Sequence, residues 1–182
     1  ILIMAGGTGG HVFPGVAVAD HLQKLGWHVV WLGTQAGMEL KLVPQHGYTT
    51  EIISFSGLRG KQLTAWFMLP LRLIKAFLQS ARIIQRVKPD VILGMGGYPA
   101  FPGGMMASLL NKPLIIHEQN SIPGLTNKIL AKLADKVMLG FPNAMFAEEE
   151  KVVFSGNPVR PEITQMEKPE KRWQGRQGKL KL

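Results

Sequence analysis

The sequence predicts an α/β fold built on a mostly parallel sheet with helices on both faces, and three observations predict it. Apolar runs of strand length alternate with helix-length amphipathic stretches from Ile1 to about Ser155. The strand-like runs are nearly continuous in apolar residues, as a sheet covered on both sides requires. Two glycine clusters, at 6–10 and within 94–104, stand where a strand gives way to a helix.

In order, residues 1–5 read as a strand and 14–25 as a helix, with Pro14 in a first turn that tolerates it and Gly26 as the stop. Strand 27–32, helix 36–45 and strand 48–53 follow, then a long helix over 63–87 ended by Lys88-Pro89. Strand 90–94, helix 100–110, strand 113–117, helix 123–134 and strands 136–139 and 151–155 complete the series. Beyond "SGNPVR" (155–160) the pattern fails, so 161–182 reads as a linker whose final "KLKL" alternates like the start of a new strand. Because the chain opens in mid-strand on Ile1 and stops where a second domain would begin, it reads as a fragment.

With 182 residues, 46% of them hydrophobic and 18% charged, the chain is long enough to bury one full core. It has no cysteine, which excludes disulfides, thiolate metal sites and cysteine nucleophiles and fits a reducing compartment. No run reaches the roughly 18 to 20 apolar residues of a membrane span. The net charge is +9, of which 168–182 holds +5, six basic residues against Glu170. Such a balance suits phosphorylated substrates, anionic lipid or nucleic acid.

Glycine at a strand-to-helix junction lets the backbone approach a ligand, and the helix behind it offers unpaired N–H groups and partial positive charge. Gly6, Gly7, Thr8, Gly9 and Gly10 meet that description, and so does "GMGGYPAFPGG" (94–104) with Gly96, Gly97 and Tyr98. In a parallel sheet both lie on the carboxyl rim, which implies a cleft for one extended polar ligand rather than two plain turns. The dinucleotide fingerprint is missing, since Val12 stands where its third glycine belongs and no acidic residue ends "VVWLGTQ" (29–35). A G-x-x-x-x-G-K-[ST] phosphate loop is missing too.

His11, at the helix entrance, is either a satisfied structural residue or a general base. In "IIHEQNSIPGLTNK" (115–128), His117, Glu118, Gln119 and Asn120 are expected to project from the same rim, with Asn127 in the next helix. Their hydrogen-bonding repertoire suits sugar hydroxyls and amides. No third ligand at suitable spacing makes this a metal site.

In "PLRLIKAFLQSARIIQRVK" (70–88) a basic stripe of Arg72, Lys75, Gln79, Arg82 and Arg86 opposes Leu73, Ile74, Phe77, Leu78, Ala81 and Ile84, most of which should pack on the sheet. Upstream, Trp66, Phe67, Met68 and Leu69 lie between Arg59, Lys61 and Arg72, a pattern that suits docking on anionic lipid as well as core packing. Nucleic-acid binding is disfavoured, because the aromatics are not interleaved along a basic groove.

"MAGGTGGHVFPGVAVADHL", "SGLRGK", "KPDVILGMGGY", "HEQNSIPGLTNK" and "SGNPVR" together resemble glycosyltransferase family 28, in particular its membrane-associated N-acetylglucosaminyltransferases of peptidoglycan synthesis, over about residues 1–160. The resemblance implies the N-terminal, acceptor-binding half (1–160) of a GT-B fold of two Rossmann-like domains, with 161–182 leading into a donor-binding domain. It implies inverting transfer of N-acetylglucosamine from UDP-N-acetylglucosamine to lipid I, giving lipid II, by a peripheral enzyme on the cytoplasmic face of the cell membrane. It implies His11 or Glu118 as base, donor contacts from Thr8, Gly9, Gly10, Asn120 and Arg160, and acceptor contacts from Gly6, Gly7, Gly96, Gly97, Tyr98 and Asn127. No cofactor, metal or nucleic acid is expected; 57–88 is expected on an anionic membrane surface, and the 182 residues alone are expected to be inactive. The alternatives are a non-catalytic membrane-surface module and a GT-B transferase with another acceptor.

Overall fold

The computed structural model describes residues 1–56, 67–142 and 150–174. Seven strands form one all-parallel sheet: β1 (Leu2–Ala5), β2 (Val30–Thr34), β3 (Thr49–Ile53), β4 (Ile92–Gly96), β5 (Leu114–Glu118), β6 (Lys136–Leu139) and β7 (Val152–Phe154). Their order is β3-β2-β1-β4-β5-β6-β7, so the chain reverses direction across the sheet between β1 and β4. Outside the carboxyl ends of those two strands an open α/β sheet leaves a crevice. Pairing of β1 with β4 slips between Met4 and Ala5, which brings Ala5 opposite Gly96 and the two glycine loops level.

Alternate side chains of each strand go to opposite faces, and each face has its own core. On one, Leu2, Met4, Leu32, Ile92, Leu114 and Ile116 meet helices α3 (Leu69–Val87), α4 (Ala100–Leu109) and α5 (Leu125–Leu130). On the other, Ile3, Ala5, Trp31, Leu93 and Met95 meet Val12, Val16 and Ala19 of α1 (Gly9–Lys24) and Val43 of α2 (Glu39–Gln45). Helix α1 fits closely because Gly15 has no Cβ to strike the Trp31 ring, whose indole N–H donates to the Ala5 carbonyl at 3.0 Å.

The strand alternation and the two-faced covering are as expected, while several boundaries differ. Helix α1 begins at Gly9, so Pro14 lies inside it and His11 belongs to the helix's first turn rather than to a loop. Its end is a Schellman motif: Gly26, at φ +85°, donates to Gln23 O while Trp27 donates to Leu22 O. Helix α3 ends at Lys88 with φ +50°, directly before Pro89. Helix α5 is a short 125–130 element, and 161–174 holds two short helices, α6 (Pro161–Thr164) and α7 (Pro169–Trp173), where a plain linker was expected. "KLKL", Arg59, Lys61 and Trp66 lie outside the described residues.

The buried face of α3 is also different. Ala76, Ser80, Ile83 and Ile84 pack inward, whereas Leu71, Ile74 and Leu78 are 61%, 55% and 53% exposed. Small side chains bring α3 close to α4, with Phe77 and Phe101 in tilted ring contact at 5.9 Å. Two members of the basic stripe are occupied: Gln79 Oε1 accepts from Ser54 N at 2.8 Å, and Arg86 pairs with Glu51.

Candidate functional site

At the carboxyl rim the two glycine loops touch. Gly97, at φ +79°, lies so close to Gly6 that any Cβ would overlap the Gly6 carbonyl. Tyr98 follows, its ring against Gly7 and its hydroxyl 3.2 Å from Thr34 Oγ1. Beneath them lies Glu39, wholly buried, which accepts from Thr34 N and Oγ1 at 3.0 Å each and from Gly7 N at 3.2 Å. The space its carboxylate fills is left by Gly6, Gly33 and Gly37. Gly7 thus spends its amide inside the protein. Sequence reading missed Glu39, whose place in a first helical turn is ordinary for an acidic residue; the surrounding glycines were the available signal.

Thr8 is the N-cap of α1, but its hydroxyl makes no capping bond, and the first turn carries no acidic residue. Gly9 and Gly10 are at positions whose N–H groups a helix leaves without an internal partner. This end of α1 therefore keeps its partial positive charge and its donors for an anion. Arg160 arrives from the far end of the chain with its guanidinium 4.8 Å above the Phe13 ring. Phe13 itself packs beside Gly9, so the cation stands over the same helix end.

His11 Nδ1 is 2.9 Å from Gln119 Oε1, and the ring lies over Gly96, whose lack of a Cβ and φ of +99° make room for it. Gln119 Nε2 is 3.0 Å from His117 Nδ1, and His117 Nε2 is 3.0 Å from the Gly156 carbonyl. His117 is buried, and burial pushes its imidazole below the ordinary histidine range, against smaller opposing effects of the Gly156 hydrogen bond and Glu118. A neutral ring results at physiological pH.

Glu118 and Asn127 sit under the rim, each 1% exposed, instead of projecting from it. Glu118 Oε1 accepts from Asn120 N and Nδ2 at 3.0 and 2.9 Å, and Oε2 accepts from Gly124 N and Asn127 Nδ2 at 3.0 Å each. With both oxygens engaged, Glu118 holds the 118–124 loop in shape and has no free face for a substrate. Asn127 Nδ2 also donates to the His117 carbonyl at 3.1 Å, leaving its buried Oδ1 without a protein partner. Asn120 is exposed on the loop surface. Among the described residues no group of three or more His, Cys, Asp or Glu is arranged to hold a metal.

The structure therefore brings Thr8, Gly9, Gly10, His11, Gly96, Gly97 and Tyr98 together outside the carboxyl ends of β1 and β4, with Arg160 over Phe13 beside Gly9 and Asn120 exposed on the loop after β5. Glu118 and Asn127 support that rim from below.

Comparison with known proteins agrees with this architecture. The family described as "Glycosyltransferase family 28 N-terminal domain" matches residues 1–139. A UDP-N-acetylglucosamine–N-acetylmuramyl-(pentapeptide) pyrophosphoryl-undecaprenol N-acetylglucosamine transferase of Nitrosospira multiformis is 65% identical over 182 residues, covering 100% of this chain and 51% of the relative. The crystal structure of Acinetobacter baumannii MurG superposes with a TM-score of 0.73 at 36% identity, over 90% of this chain and 46% of that one. A putative UDP-N-acetylglucosamine 2-epimerase of Listeria monocytogenes, TM-score 0.66 at 14% identity over 86% of this chain and 45% of that one, shares the fold. The chain spans about half the length of the curated relatives it matches. With its Rossmann-like parallel sheet and its match over residues 1–139, the chain belongs to glycosyltransferase family 28.

Proposed function

We propose that the chain is the acceptor-binding half of an inverting GT-B transferase that moves N-acetylglucosamine from UDP-N-acetylglucosamine to the 4-hydroxyl of the muramoyl sugar of lipid I, forming lipid II. The observation that carries this reading is the uncapped start of α1, with His11 in its first turn, set against two abutting glycine loops at the sheet's reversal point. Residues 1–160 form this half, and 161–182 lead toward a donor-binding domain.

Inverting transfer is a single displacement. The acceptor O–H gives up its proton, its oxygen bonds to the anomeric carbon, and the bond from that carbon to UDP breaks. The step needs one base and stabilisation of negative charge on the departing diphosphate. His11 is the base candidate with an available ring nitrogen; Glu118, fully hydrogen-bonded and buried, keeps the loop beside it in place. Thr8, the amides of Gly9 and Gly10, and Arg160 are suited to the donor diphosphate, with Asn120 at the edge. Gly6, Gly7, Gly96 and Gly97, whose missing side chains let Glu39, the Tyr98 ring, His11 and the Gly6 carbonyl close in, form a rim suited to the acceptor diphosphate, with Tyr98 beside it and Asn127 fixing the wall below. Holding two large substrates across one cleft supplies much of the remaining acceleration.

The outer face of α3 fits the lipid end of such an acceptor. Phe67, Leu71, Ile74 and Leu78 are exposed and, at 100° per residue, fall in one narrow stripe, with Lys75 and Arg82 alongside. This surface suits peripheral attachment to an anionic cytoplasmic leaflet, and no described helix is long and apolar enough to cross a membrane. The test is His11→Ala in the protein at the full length of its relatives, assayed with labelled UDP-N-acetylglucosamine and lipid I. Loss of a general base lowers kcat by roughly 10²- to 10⁴-fold. A wild-type rate removes His11 from the mechanism.

A further inference from the structure

The hydrogen bonds that end on His11 have a direction, and that direction is imposed from their far end. The Gly156 carbonyl can only accept, so His117 Nε2, 3.0 Å away, carries the proton and donates it. A neutral imidazole has one N–H, which makes His117 Nδ1 an acceptor, and Gln119 Nε2 donates to it at 3.0 Å. The same Nε2 donates to the His117 backbone carbonyl at 3.2 Å. Because that carbonyl also only accepts, the amide of Gln119 cannot be turned end for end. Its Oε1 therefore faces His11, and an amide oxygen only accepts, so His11 Nδ1 must be the donor at 2.9 Å.

We propose that His117 and Gln119 are positioning residues that hold His11 in its Nδ1-protonated tautomer and so keep the Nε2 lone pair turned toward the cleft. A free imidazole prefers the opposite tautomer, with the proton on Nε2 and no lone pair there to receive another. The relay reverses this preference and orients the ring, which is how the bond at one ring nitrogen sets the chemistry of the other. It is also well anchored. His117 lies in β5, paired with Met138 of β6, and Asn157 Nδ2 donates to the Gln119 carbonyl at 3.1 Å. Residues 156–157, in the segment that follows the last strand of the sheet, thus hold both members. The use made of the lone pair rests on the reading of His11 as base; the tautomer does not.

The decisive measurement is ¹⁵N NMR of the histidine rings in the full-length protein, with the His11 ring assigned through bonds from its own backbone. The expected spectrum has a pyrrole-type Nδ1 and a pyridine-type Nε2 for His11 in the unmutated protein, so the result does not depend on any variant folding. In Gln119→Met the ring shifts toward the Nε2-protonated tautomer, and kcat falls by roughly 10- to 100-fold with both KM values nearly unchanged. A dominant Nε2–H tautomer in the unmutated protein, or an unchanged His11 spectrum in Gln119→Met, overturns the relay. Full activity of His11→Ala would instead remove the base reading and leave the tautomer assignment standing.

Discussion

At the carboxyl rim, backbone carbonyls and a buried carboxylate decide where each neighbouring proton points, while on the outer face of α3 large apolar side chains face solvent with nothing on the described chain to meet them. The two regions are specified in opposite ways. Rim residues are held by directional bonds from three strands and from segment 155–160, so their function rests on geometry. The α3 stripe rests on area and charge, which are non-directional. Substitutions should separate the two, because the rim couples stability to function and the stripe does not.

The largest expected effect is at the contact of the two glycine loops. Gly97→Ala introduces a Cβ at φ +79° that overlaps the Gly6 carbonyl, so backbone strain adds to a clash that only backbone movement relieves. The expected loss is about 3 kcal/mol or more, read as a lower urea midpoint. Gly124→Ala, where no atom lies within 4 Å of the added Cβ, is the control and stays close to wild type. An unperturbed Gly97→Ala midpoint would mean that the loops do not abut.

A smaller effect follows from the buried relay ring. Burial lowers the His117 pKa below its unfolded value, so as pH falls the unfolded chain takes up this proton first. The stability it contributes is present above about pH 6.5 and is lost as pH drops from there toward the folded pKa, with a slope of at most one proton. Urea midpoints at pH 7.5 and 5.5 should therefore differ more in wild type than in His117→Gln. Equal differences in the two proteins would place the acid sensitivity elsewhere.

The sheet was legible because buried parallel strands such as "DVILG" leave no other reading, and the rim because glycines and polar residues follow those strands directly. Bond direction was not legible. His117, Glu118, Gln119 and Asn120 are consecutive polar residues, and sequence alone gave them one shared exposure; strand alternation and the loop after β5 instead bury the first three and expose only the last. The start of α1 is hidden because Gly9 and Gly10 carry a low helix propensity that the tertiary setting overrides. On α3 the apolar residues surround most of the helix, so hydrophobicity could not choose the inner face. Size did: Ala76 and Ser80 permit the approach to α4 that Leu71 and Leu78 would block.

That last point yields the smallest expected change in stability and the sharpest contrast with the rim. Replacing Leu71, Ile74 and Leu78 together by Gln keeps good helix formers on a solvent face, so the unfolding free energy read from urea titration should change by no more than about 0.5 kcal/mol per site. Ile84→Gln, on the buried face, should instead cost about 2 to 5 kcal/mol. Binding to anionic vesicles should respond in reverse order. Each half-exposed side chain has about 1 kcal/mol of apolar area left to bury, so the triple variant should lose about 3 kcal/mol, roughly a hundredfold in affinity. Lys75→Gln with Arg82→Gln should weaken binding mainly at low salt, where headgroup attraction is least screened. If the triple variant lost stability while keeping its vesicle affinity, the stripe would be packed in the working protein, and the division between a directional rim and a non-directional docking face would fail at α3.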